Sequence, residues 1–98
     1  MKSADSCTSI EEIRNAIDTI DREVIRLLGE RFQYIKEIIR FKKPTEESIV
    51  AKNRFEAVIA SRREQALKNG LDPDLIERVY RELLNHFISE EMKLIKQK

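Results

Sequence analysis

Ten positions near the start of the chain recur at alternating spacings of three and four: Ile10, Ile13, Ile17, Ile20, Val24, Leu27, Arg31, Tyr34, Ile38 and Phe41. That is the seam of a helix packed against other helices. Thr8-x-x-Glu11, just ahead of it, has capping-box spacing, so the pattern predicts one helix from Thr8 to Lys42, 35 residues and about 52 Å long. A compact chain of 98 residues has a radius of gyration of only about 13 Å. One copy would leave an end of this helix overhanging, with apolar stripe in water. The pattern therefore predicts a second copy, two long helices pairing and shorter ones filling in around them.

Punctuation divides the rest. Pro44 closes the first segment, Gly70 the second, and Pro73 opens the third. The second segment predicts a helix that starts between Thr45 and Ser48, carries Ile49, Phe55, Val58, Ile59, Ala66 and Leu67, and stops at Gly70. The third has Asp72 as N-cap, Pro73 at the first helical position and Asp74 placed to favour the helix dipole. Its stripe runs Ile76, Val79, Tyr80, Leu83, Leu84, Phe87, Ile88, then Glu91 and Ile95. No segment alternates with the period of a strand. The expectation is an all-α, three-helix chain forming a single domain over residues 1–98, with a polar loop over residues 43–50.

Several function classes are disfavoured. Lys and Arg number 19 and Asp and Glu 18, and no third of the chain departs from neutrality by more than one charge, so no basic field invites nucleic acid or an anionic membrane. The longest apolar run, Ala57–Ala60, is far too short for a bilayer. The residues after Met1 lack the apolar core of a secretory signal, which makes the cytoplasm the expected location. Cys7 and His86 are each single, so no zinc set or internal disulfide arises within one chain. His86 reads as an ordinary helix-surface residue.

Polar residues standing in apolar stripes carry the functional question. Arg31 and Lys42 are 11 residues apart, on nearly one face of the predicted helix and about 16 Å apart along it. Arginine forks a carboxylate, whereas lysine offers one oxygen a compact charge. Arg14 lies 17 residues before Arg31, about 25 Å away, too far to share a small ligand in cis. Antiparallel pairing of two long helices would bring one copy's Arg14 toward the other's Arg31 and Lys42. The structural alternative is that Arg14 pairs with Asp18 or Asp21 and Lys42 is a solvated helix end. Glu91, on an apolar face, is either paired with a cation or held protonated.

The run Cys7-Thr8-x5-Arg14-x-Ala16-Ile17-Asp18-x-Ile20-Asp21, with Leu28-Gly29-x-Arg31, Arg40-Phe41-Lys42 and Asn69-Gly70-Leu71-Asp72, resembles the small all-helical chorismate mutases. Within them it looks most like the isochorismate-pyruvate lyase branch of salicylate synthesis in siderophore-producing bacteria. The resemblance implies an intertwined homodimer of three-helix chains with two equivalent sites and a small dicarboxylate substrate. It implies that Arg14 comes from the partner subunit, that Arg31 binds a substrate carboxylate, that Lys42 bridges a carboxylate and the ether oxygen of the breaking C–O bond, and that Arg54 assists carboxylate binding. Glu91 stands where many members have a Gln that donates to the ether oxygen. Phe55 stands where mutases place an acid for the ring hydroxyl of chorismate, and Ala51 where another acid is common.

The reactions implied are pericyclic, needing neither cofactor nor metal nor nucleophile. Catalysis would come from holding a flexible dianion in its reactive conformation and placing cations where charge grows on the ether oxygen. In such a site an ionised Glu91 would oppose that charge, so Glu91 is expected as a protonated donor. Missing acids at positions 51 and 55 rank isochorismate-pyruvate lyase first and chorismate mutase second. A non-catalytic helical dimer, its chemistry lost through Glu91, is the third reading.

Overall fold

A computed structural model describes residues 3–38, 40–41 and 52–96. A short 3-10 turn, Ala4–Ser6, precedes three helices: α1 (Ile10–Ile38), α2 (Lys52–Lys68) and α3 (Pro73–Lys96). Among the described residues no strand occurs, and the chain is all-α. It divides into two compact units, residues 1–34 and 35–98, and the division falls within α1.

The N-terminal cap of α1 sits one residue later than its spacing predicts. Ser9 Oγ accepts the Glu12 amide at 3.1 Å, and Glu12 Oε2 accepts the Thr8 amide at 2.7 Å and the Thr8 hydroxyl at 2.9 Å. Ser9 and Glu12 thus share the capping roles expected of Thr8 and Glu11, because two adjacent hydroxyl residues offer two registers and the chain adopts the one ending on Glu12. The helix is also shorter at its other end. Arg40 and Phe41 lie in a turn, their amides donating to the carbonyls of Glu37 and Ile38 at 3.0 and 2.9 Å. These contacts reach back three residues, a tightening common in a last helical turn. The 29 residues of α1 still span about 43 Å.

No residue of α1 is buried. The predicted stripe lies open to solvent: Ile17 is 50% exposed, Ile20 and Val24 48%, Leu27 51%. A contiguous apolar face this exposed is the kind of surface that packs against another.

In the second unit α2 and α3 pack against each other. Val58, Ile59 and Ala66 are buried on α2. On α3, Ile76, Tyr80, Leu83, Leu84, Phe87, Ile88 and Ile95 are half-buried. The turn between the helices matches its sequence signals. Gly70 has φ +72°, the Leu71 amide reaches back to the Ala66 carbonyl at 2.9 Å and that of Gly70 to Leu67 at 3.3 Å, which is the Schellman closure. Asp72 then caps α3, its Oδ1 accepting the Asp74 amide at 3.0 Å. The predicted start of the second helix and Ile49 lie outside the described residues.

Candidate functional site

Arg54 and Glu91 belong to the α2–α3 pair, and the contacts between the helices give their register. Arg63 Nη1 meets Asp74 at 2.9 Å and Glu77 at 2.8 Å. Arg62 lies over the Tyr80 ring, 5.6 Å from its centroid. Arg81 meets Glu56 at 3.3 Å and stands 5.7 Å from the centroid of Phe55. As the α2 partner moves from 63 to 55, the α3 partner moves from 74 to 81, so the helices are antiparallel. Extending that register sets Arg54 opposite about residue 84, with Glu91 about 10 Å further along α3.

Arg54 is exposed on the first turn of α2, a turn without an acidic residue. A cation at the positive end of a helix favours an anion nearby. Glu91 is 8% exposed and is the buried charged residue among those described. One helical turn away on α3 it has Phe87, Ile88, Leu94 and Ile95, so its own helix surrounds it with apolar side chains.

On α1, Arg14 is exposed and Arg31 half-buried, with Nη1 of Arg31 shielded from solvent. Their 17-residue separation in one continuous helix holds them about 25 Å apart. They do not meet within one chain. Lys42, Ala51 and the 43–50 loop lie outside the described residues. His86 is exposed, its ring edge-on to Phe87.

The network around Arg81 is what sequence reasoning missed. Arg81 Nη1 and Nη2 each donate to one carboxylate oxygen of Glu56 at 3.3 Å, while Nε donates to Glu77 at 2.8 Å. The hydrogen bond donated by Arg81 first, and that from Arg63, hold the Glu77 carboxyl below its ordinary value. Donating to Glu56 and then to Glu77 holds the Arg81 guanidinium above its own, and donating to Asp74 and then to Glu77 does the same for Arg63. The Glu77-x-x-x-Arg81 spacing was the available signal. Phe55 is half-buried beneath this guanidinium.

A cavity of about 180 Å³ opens at the other end of the pair, lined by Arg62, Gln65, Asn69, Ile76 and Tyr80 among others. It contains none of the predicted site residues. Among the described residues no cluster of His, Cys, Asp or Glu could hold a metal ion, and no helix is long and apolar enough to cross a membrane.

Residues 13–92 match the family model for chorismate mutase type II. The chain is 36% identical to an isochorismate pyruvate lyase of Pseudomonas aeruginosa, over 99% of this chain and 95% of that protein. It is 31% identical to the T-protein of Haemophilus influenzae and 39% to a bifunctional chorismate mutase/prephenate dehydratase of Neisseria gonorrhoeae, over 85% and 83% of this chain. It spans only 22% of the length of each of those two. With the helical architecture and the spaced cations, these matches establish that the chain belongs to the chorismate mutase type II family.

Proposed function

We propose that this enzyme is an isochorismate-pyruvate lyase, a single 1–98 domain working as a cytoplasmic homodimer. The observation that carries the reading is the end-to-end likeness to a protein of that name, 36% identical over 99% of this chain and 95% of that one. The reaction eliminates pyruvate from isochorismate to leave salicylate: the ether C–O bond breaks and a ring hydrogen passes to the departing enol carbon, in one cyclic rearrangement of electrons. No group on the protein is consumed and no cofactor takes part.

The chain's task is then positional and electrostatic. Arg31 and Arg54 take the carboxylates of the dianion, and the partner subunit's Arg14 completes their neutralisation. Lys42 stands by the ether oxygen, where negative charge grows as the bond breaks. On this reading Glu91 carries its proton and donates to the same oxygen. The exposed stripe of α1 supports the dimer: Ile13, Ile17, Ile20, Val24 and Leu27 are each more than 40% exposed in one chain, and antiparallel pairing with a second α1 would bring its Arg14 toward Arg31.

Chorismate mutase is the second reading, favoured by the match to a bifunctional chorismate mutase/prephenate dehydratase at 39% identity over 83% of this chain. The protein is incubated separately with isochorismate and with chorismate, and salicylate plus pyruvate is followed against prephenate. Salicylate as the main product supports the lyase; prephenate as the main product replaces it with the mutase. Turnover of neither leaves a helical dimer without chemistry.

A further inference from the structure

The lyase reading places substrate near the first turns of α2, where Arg54 is followed by Phe55 and Glu56. Phe55 and Glu56 share one partner on α3. The Arg81 guanidinium forks the Glu56 carboxylate at 3.3 Å, holds Glu77 at 2.8 Å and stands 5.7 Å from the centroid of the Phe55 ring. One cation therefore governs the surroundings of position 55.

We propose that Arg81 is a specificity-determining positioning residue: by forking Glu56 over Phe55 it prevents position 55 from serving as an acceptor for a substrate ring hydroxyl. The inference rests on the lyase reading and extends it. An acid at position 55 would emerge beside a guanidinium already arranged to bind carboxylates through parallel N–H donors. Its oxygens would be taken by Arg81 and would not face a ligand. The aromatic ring suits the place instead, since the face of a π-system attracts a cation. Selectivity against a substrate that needs a hydroxyl acceptor here thus has two layers: the missing acid, and a cation that would neutralise an acid if one appeared. Arg63 is the internal contrast. It bridges α2 to α3 through Asp74 and Glu77, in the same network, with no contact to Phe55 or Glu56 among those observed.

The test compares kcat/KM for chorismate and for isochorismate in the wild type, Phe55→Glu, Phe55→Glu with Arg81→Leu, and Phe55→Glu with Arg63→Leu. Phe55→Glu alone is expected to leave the ratio of the two within about threefold of wild type, and adding Arg81→Leu to move it toward chorismate by about tenfold or more, the worth of one charge-assisted hydrogen bond to a hydroxyl. The Arg63→Leu combination should behave as Phe55→Glu does. NMR titration gives a readout independent of turnover: the carboxyl introduced at position 55 titrates below the ordinary carboxylate range when Arg81 is present and returns to it when Arg81 is removed. Should Phe55→Glu fail to fold, Phe55→Gln provides an acceptor that Arg81 also captures, and the same ratio is read in its place. A tenfold shift from the single substitution, no further shift on removing Arg81, or an equal shift on removing Arg63 overturns the proposal and leaves the lyase reading intact. A wild type that turns over neither substrate overturns both.

Discussion

Arg81 binds Glu56 across the α2–α3 interface with both terminal nitrogens, each 3.3 Å from its own carboxylate oxygen, and at the same time holds Glu77 on its own helix at 2.8 Å. Arg63 reaches Glu77 from the other side at 2.8 Å. Two helices that bury few side chains against each other are thereby tied by two guanidiniums sharing one carboxylate. Exposed ion pairs contribute little singly, but a planar fork within a network fixes geometry.

Glu77 makes this network sensitive to acid. Hydrogen bonds from Arg81 first, then its charge and Arg63, hold the Glu77 carboxyl below its ordinary 4.5. A depressed folded-state pKa means that the folded protein binds fewer protons than the unfolded chain in that interval, so the stabilisation is complete above about pH 4.5 and is lost as pH falls through the folded value. The expected outcome is that Glu77→Gln lowers Tm at pH 7, and that the gap from wild type narrows steadily between pH 5 and pH 3. A gap of equal size at both ends would mean that the carboxylate's charge is not what holds the helices.

What the sequence made legible was what local rules govern. The three-four spacing of α1, the Gly70 stop and the Asp72–Pro73 start each depend on residues within a turn or two of one another, and each appears in the structure. The cap on Ser9 in place of Thr8 is a choice between adjacent hydroxyls that spacing does not resolve. Arg81 and Glu56, 25 residues apart, meet only because α2 and α3 pack in one antiparallel register, which no local pattern encodes. Arg14 and Arg31 were legible as a pair that one chain cannot unite, and the continuous α1 keeps them so.

The two glycines should respond to alanine in opposite directions. Gly70 sits at φ +72°, where an L side chain is strained although nothing lies within 4 Å of the added Cβ, so Gly70→Ala should destabilise by about 1 kcal/mol. Gly29 lies inside α1, two residues from both Leu27 and Arg31 and hence off the apolar stripe, with nothing within 4 Å of an added Cβ. Gly29→Ala should therefore stabilise by about 0.5 to 1 kcal/mol. Urea unfolding at a fixed protein concentration measures both, and a loss of stability at Gly29 would show that this face of α1 is covered in the assembly.

Glu91 should give the turnover reaction its pH dependence. If Glu91 donates to the ether oxygen as proposed, it must keep its proton, so kcat should fall once pH rises far enough to remove it, while Glu91→Gln, which donates at every pH, should show a flat profile. Glu91→Ala, with no donor, should lose roughly 10²- to 10³-fold in kcat. A wild-type profile constant from about pH 5 to pH 8, the range a raised carboxyl pKa crosses, would assign Glu91 to an ion pair with Lys42 instead.

The shared site can be tested by mixing two dead proteins. If each site combines its own chain's Arg31 with the partner subunit's Arg14, then Arg14→Ala and Arg31→Ala homodimers each lack one cation at both sites. A heterodimer of the two differs. The chain carrying Arg14→Ala keeps its own Arg31 and receives an intact Arg14, so one of its sites is complete, and the other has lost both. Random exchange makes half the dimers mixed, with one working site of two, so unfolding and refolding an equal mixture should restore about a quarter of wild-type activity. A site built within one chain leaves every site in every mixture defective. Activity that stays at the level of the separate variants, with mass spectrometry confirming heterodimers, would therefore mean that Arg14 and Arg31 do not share a site across subunits.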